Sequence, residues 1–188
     1  MLPGTDNLSG EAMNPIQTCE LPQAALLNKY RADGAYMDCY FVDVARVVSC
    51  AEYIEAFYTT PLFKVERLIL ALLAFRPSSD VQARQLASGA DNDFAAWSVE
   101  GRSSHQLLLC DFLGRTRSWL MTGAAGNGDS SHTRLYFGSA VIPKKVDTTS
   151  GRKDFGFAFH ALMNFHELYS RALLRSAAWR LKHPRSSQ

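Results

Sequence analysis

A chain of 188 residues with 47% hydrophobic side chains can bury one sizeable core and little more. Its 20 basic and 18 acidic side chains leave a formal net charge of +2, which argues against a nucleic-acid partner, since such binders carry a marked basic excess laid out as a stripe. The clearest cationic group (Arg171, Arg175, Arg180, Lys182, His183 and Arg185) falls at the end of the chain, where cations suit the last turns of a helix.

The longest apolar run, Leu68 to Phe75, is far short of the ~20 residues that span a bilayer, and the polar N-terminus carries no signal-peptide pattern. A soluble, cytoplasmic protein without stable membrane insertion is therefore expected. Cys19, Cys39, Cys50 and Cys110 form no CxxC pair, in keeping with reduced thiols.

Residues 1–22 mix Gly, Pro and polar groups without periodicity and predict a loosely ordered arm. A single domain is expected over 23–184, with a short tail at 185–188. Its first segment, 23–33, favours a short helix that stops at Gly34. AYMDCYFVDV (35–44) predicts a strand, with Tyr36, Asp38, Tyr40, Val42 and Val44 on one face and Met37, Cys39, Phe41 and Asp43 on the other.

Ser49 and Glu52 fit a capping box that starts a second helix, and Thr60-Pro61 restarts the chain as N-cap and first helical residue of a third. In that third helix Leu62, Val65, Ile69, Leu72 and Leu73 recur at helical spacing. Ser79 or Asp80 can cap a further helix that ends near Gly89. From Phe94 the period changes to two. FAAWSVEG (94–101), HQLLLCDF (105–112), TRSWLMTG (116–123) and TRLYFGSAVIP (133–143) predict four strands, antiparallel because their connections are short. The chain then closes with a helix over about 157–182, whose expected apolar stripe is Ala158, Ala161, Leu162, Phe165, Leu168, Tyr169, Ala172 and Leu173.

The fold class this order implies is α+β, a curved antiparallel sheet wrapped around a long C-terminal helix, with two or three short helices after the first strand. No HxH, HExxH or GxSxG occurs, and GAAGNG (123–128) leads into a strand rather than a helix, so neither a metal nor a cofactor is expected and no catalytic residue is assigned. Candidate cavity residues are Tyr40, Trp97, Arg102, Arg117, Trp119, Tyr136, His160 and Phe165. The aromatics would form walls, and an arginine could fork onto a carboxylate. Either arginine could equally lie on an outward face with its stem over an aromatic ring.

The segments AYMDCYFVDV, AEYIEAFYTTPLFKVERLILALL, FAAWSVEGRSSHQLLLCDFLGRTRSWLM and TRLYFGSAVIP, with the closing helix, resemble the START-like (Bet v-type, SRPBCC) helix-grip superfamily, and within it a bacterial family of unknown function. The likeness covers roughly 34–182 and rests on element order. It implies an apolar cavity between sheet and helix. Five strands are counted here, where that superfamily commonly has six or seven. The readings that follow are a binding protein for a small apolar or amphipathic ligand, a cyclase- or hydratase-type enzyme using Asp38 or His160 in the same cavity, and a protein-interaction module. Self-association as a homodimer stays open.

Overall fold

The structure is a computed structural model and describes residues 14–73, 75, 77–126, 131–143, 145–146, 153–154 and 157–183. It is α+β, with a curved seven-stranded antiparallel sheet and a long C-terminal helix. The strands are β1 (Gln17–Thr18), β2 (Tyr36–Val44), β3 (Asp93–Phe94), β4 (Trp97–Arg102), β5 (Gln106–Asp111), β6 (Thr116–Ala124) and β7 (Thr133–Val141), ordered β1-β2-β7-β6-β5-β4-β3. A separate two-stranded ribbon pairs β8 (Lys145–Val146) with β9 (Lys153–Asp154). The count of five strands is thus corrected to seven in the main sheet. The extra two, β1 and β3, are two residues each, too short to carry a period. β1 also places part of the expected arm against the sheet, while residues 1–13 lie outside the described residues.

The helices are α1 (Cys50–Tyr58), α2 (Pro61–Leu73), α3 (Asp80–Ser88) and α4 (Phe157–Lys182). Local chemistry explains their starts. Ser49 and Glu52 satisfy each other's backbone N–H at α1, and Ser79 and Gln82 do the same at α3. The Thr60 hydroxyl accepts from Phe63 N at 3.1 Å to open α2 behind Pro61. α3 stops at Gly89, whose φ of 81° is the left-handed conformation that glycine adopts without a Cβ penalty.

The expected helix over 23–33 is instead a 3-10 helix, Leu26–Tyr30. No side chain caps its start, and three residues per turn set Leu27 and Tyr30 above one another, both buried against the sheet.

Both faces of the sheet are covered. On the inner face Tyr40, Val42, Leu109, Leu120, Leu135 and Phe137 pack against α1, α3 and α4. On the outer face Cys39, Leu108, Trp119, Met121 and Ala140 pack beneath Ala25, Leu27 and Tyr30. The period-two alternation assigned to β2 holds: Tyr40 and Val42 turn inward, Cys39 outward.

Two helical stripes differ from expectation. In α2 it is Phe63 and the stem of Arg67 that are buried, while Val65, Ile69 and Leu72 are exposed. Arg67 is drawn in by Asp80 Oδ1 at 2.6 Å and by the Ser78 hydroxyl and carbonyl. In α4 the buried set is Ser170, Leu173, Leu174, Ala177, Ala178 and Leu181, and Leu168 is 68% exposed. The first half of the expected α4 stripe, Ala158 to Phe165, lies outside the described side chains.

Candidate functional site

A cavity of about 560 Å³ opens between α2, α4 and the inner face of the sheet. Its floor is Trp97, Thr116, Ser118, Phe137 and Ser139. One wall is α2, through Leu62, Phe63 and Glu66; the other is α4, through His166, Tyr169, Ala172 and Leu173. Val65 and Ile69 of α2 and Leu168 of α4 border the same space and are exposed, so they form an apolar mouth. A volume of this size suits a small organic molecule.

Ser139, His166, Glu66 and Tyr169 bring polar groups to this apolar enclosure, and Asp38 stands behind Ser139 without bordering the space. Asp38, on the inward face of β2, accepts from the backbone N–H of Ser139 at 2.9 Å and from its hydroxyl at 2.7 Å. His166 Nε2 lies 2.8 Å from Ser139 Oγ and 3.3 Å from Asp38 Oδ2. The hydroxyl has one hydrogen and commits it to Asp38, so Nε2 carries its own hydrogen and donates to Ser139. This differs from a Ser-His-Asp relay, in which the imidazole accepts from the serine and the carboxylate holds the other ring nitrogen. Ser139 is therefore held as a structural link and not activated as a nucleophile.

One helical turn further along α4, the Tyr169 hydroxyl donates to Glu66 Oε2 of α2. Burial pushes the Glu66 carboxyl above its ordinary range, although the Tyr169 hydrogen bond and the charge of His166 pull the other way. Burial and the neighbouring Glu66 likewise push the Tyr169 phenol up. Among the described residues no group of three or more His, Cys, Asp or Glu side chains is placed to hold a metal ion.

The residues expected to line a cavity are distributed as follows. Trp97 does border it, and its indole Nε1 is buried without a hydrogen-bond partner, as is the hydroxyl of Ser170. Arg117 borders it through its strand, but its Nε is 2.7 Å from the Tyr30 hydroxyl and 2.5 Å from Glu100 Oε2. Burial pushes the Glu100 carboxyl up, yet the hydrogen bonds from Lys29 and Tyr30 and the charge of Arg117 outweigh it and hold the group below its usual range. That guanidinium is thus committed elsewhere.

Trp119 is corrected to the outer face, fully buried with Nε1 donating to Gln106 Oε1 at 2.9 Å. Tyr136 shares that face, its ring 6.2 Å from Trp119 and 6.1 Å from Phe41. Arg102 is likewise removed from the cavity: its Nη2 donates to the Leu86 carbonyl at 2.8 Å, in the last turn of α3. Tyr40 is buried in the inner core beside α4, with the Arg171 guanidinium 5.2 Å over its ring, and it does not border the cavity. His160 and Phe165 fall on α4, but their side chains lie outside the described ones.

None of Glu66, Ser139, His166 and Tyr169 is among the expected cavity residues, although Tyr169 falls in the expected apolar stripe of α4. One signal was available. Glu66 stands four residues after Leu62 and three after Phe63, a carboxylate on a face otherwise reserved for apolar groups.

No family model, curated protein or solved structure matches this chain.

Proposed function

We propose that this chain is a binding protein for a small, mostly apolar molecule held between α2, α4 and the sheet, in the manner of a helix-grip protein. The observation that carries the reading is the 560 Å³ space itself, with aromatic and aliphatic walls, an apolar mouth and a few polar groups. The walls take the body of the ligand, and Glu66, His166 and Tyr169 orient its polar end. With the Arg117 guanidinium engaged by Glu100 and Tyr30, a bidentate clamp on a ligand carboxylate is not part of the arrangement.

The test is native mass spectrometry of the full chain as purified, together with thermal-shift measurements against long-chain alcohols, ketones and carboxylic acids. A retained small molecule, or a melting temperature that climbs with ligand concentration, is the expected result. Absence of any shift, together with an experimental structure in which side chains fill the space, would sink the proposal.

A second reading, acid–base chemistry on the bound molecule, draws support from Glu66. A buried carboxyl that holds its proton above the ordinary range is poised to donate it. Turnover of a bound ketone or alcohol that Glu66→Gln abolishes while binding persists would favour this reading over simple carriage. Turnover indifferent to that substitution would dismiss it.

A further inference from the structure

We propose that Cys19 and Cys39 form a redox site, which a hydroperoxide closes into an intramolecular disulfide that ties the N-terminal segment to the sheet. This site stands apart from the cavity and does not depend on what the cavity holds.

The geometry comes from strand pairing. β1 pairs with β2 in the register Gln17 to Phe41 and Thr18 to Tyr40, and the next step sets Cys19 opposite Cys39. Cys19 N donates to the Cys39 carbonyl at 3.0 Å. Directly paired residues of this kind hold their Cα atoms ~5.5 Å apart, within the span a disulfide bridges. The two sulfurs are already 3.3 Å from one another. Both cysteines line a second hollow of about 420 Å³, together with Arg31, Tyr36, Asp38 and Glu167, which gives a small oxidant a route to them.

The two thiols are unlike. Cys19 is half-buried and Cys39 is buried. The hydrogen bond from Cys39, against the opposing effect of burial and with help from the charge of Arg134, holds the Cys19 thiol below its ordinary range. The same bond, followed by burial, pushes Cys39 up. Cys19 is therefore the thiol that ionises more readily, and Cys39 the one that keeps its proton. The other cysteines are placed differently: burial pushes Cys50 up to about 11, and the Cys110 thiol donates to the Asp111 carbonyl at 3.2 Å.

The chemistry closes without a further reactant. With hydrogen peroxide, the Cys19 thiolate attacks one peroxide oxygen, the O–O bond breaks, and hydroxide leaves and is protonated to water. Cys19 is then a sulfenic acid. The Cys39 sulfur attacks the Cys19 sulfur, the S–S bond forms, the S–O bond breaks, and the departing hydroxide takes the Cys39 proton as a second water. Two thiols are oxidised by two electrons and one peroxide is reduced to two waters. A resolving thiol in contact keeps the sulfenic acid from climbing to irreversible states. The resulting bond closes a loop from Cys19 to Cys39, 20 positions apart, that contains the 3-10 helix.

The experiment treats the full chain with hydrogen peroxide and follows intact mass, free thiols and linked peptides after digestion without reductant. Expected are loss of two hydrogens, loss of two of the four thiols, and a linked peptide pair holding positions 19 and 39, all reversed by dithiothreitol. Cys19→Ser, at the half-buried position, should show no such link and keep its remaining thiols. An unchanged wild-type mass, a link through Cys50 or Cys110, or cross-linking only between chains would each overturn the proposal.

Discussion

Tyr169 of α4 and Glu66 of α2 meet across the cavity wall, phenol to carboxylate. Because burial raises the Glu66 carboxyl in the folded chain, the unfolded chain gives up this proton at lower pH. Stability from this group is thus complete below the unfolded value and declines as pH rises through the folded one. Glu66→Gln, neutral at every pH and able to accept the same hydrogen bond, removes the decline. Melting temperatures measured from acid to neutral pH should therefore show the variant gaining on the wild type as pH rises. A constant difference would mean that Glu66 ionises in the folded protein as it does in the unfolded one.

Gly138 makes room for Trp119, the largest fully buried side chain among the described residues. It stands opposite Trp119 on one side and Cys39 on the other. A Cβ there would meet the Asp38 carbonyl at 2.9 Å, Trp119 Cε3 at 3.0 Å and Leu27 Cδ2 at 3.3 Å. The first of these is backbone and cannot rotate away. Gly138→Ala should cost on the order of 2 kcal/mol, as overpacking of a filled site generally does. Urea unfolding checks this, and a change below ~0.5 kcal/mol would contradict the tight packing described.

How much of this was legible depended on contrast along the chain. In β2, Asp38 and Asp43 alternate to opposite faces, and they part as the alternation requires: Asp38 joins Ser139 inside, while Asp43 takes a two-pronged bond from Arg134 at 2.7 and 2.8 Å outside. In β6 both faces are covered, and Trp119 and Leu120 are equally buried. Alternation there puts Arg117 and Trp119 on one face but does not say which face looks toward the helices. α2 is apolar on almost every side, so its periodicity fits more than one rotation and does not say that Phe63 and Arg67 turn inward while Val65, Ile69 and Leu72 stay exposed. Helix caps were legible because each is a matter of four consecutive residues. The grouping of Asp38, Ser139, His166, Glu66 and Tyr169 was not, because it joins β2, β7, α2 and α4 and exists only once they are packed.

Gln106 fastens the N-terminal segment to the outer face. Its Oε1 accepts from Leu26 N and from Trp119 Nε1, both at 2.9 Å, and its Nε2 donates to the Ala24 carbonyl at 2.9 Å. The side chain is buried, so Gln106→Leu leaves two donors and one acceptor without partners in a dry setting. Each orphan costs roughly 1–3 kcal/mol, and since one can relax toward water a total loss of about 3 kcal/mol is expected. Equilibrium urea unfolding measures it. Hydrogen exchange should also show the Leu26 amide losing protection before the amides of β6. Uniform loss across both would make Gln106 a general core residue and not a fastening for this segment.

The cavity can be closed without disturbing the core around it. Ala172 faces the space from α4 and is only partly buried, whereas the neighbouring Leu173 belongs to the packed core. Ala172→Phe adds an apolar ring on the cavity side of the helix, where open volume is available to receive it. Filling a void in this way avoids the rotamer strain that the same change would bring in a filled core. The melting temperature should hold or rise, while affinity for whichever alcohol, ketone or acid binds the wild type should fall by more than about tenfold, equivalent to ~1.4 kcal/mol. Thermal-shift titration of both proteins with the same ligand reads the two effects together. A variant that melts like the wild type and binds equally well would place the ligand elsewhere on the molecule, and the second hollow beside Cys19 would be the first surface to probe.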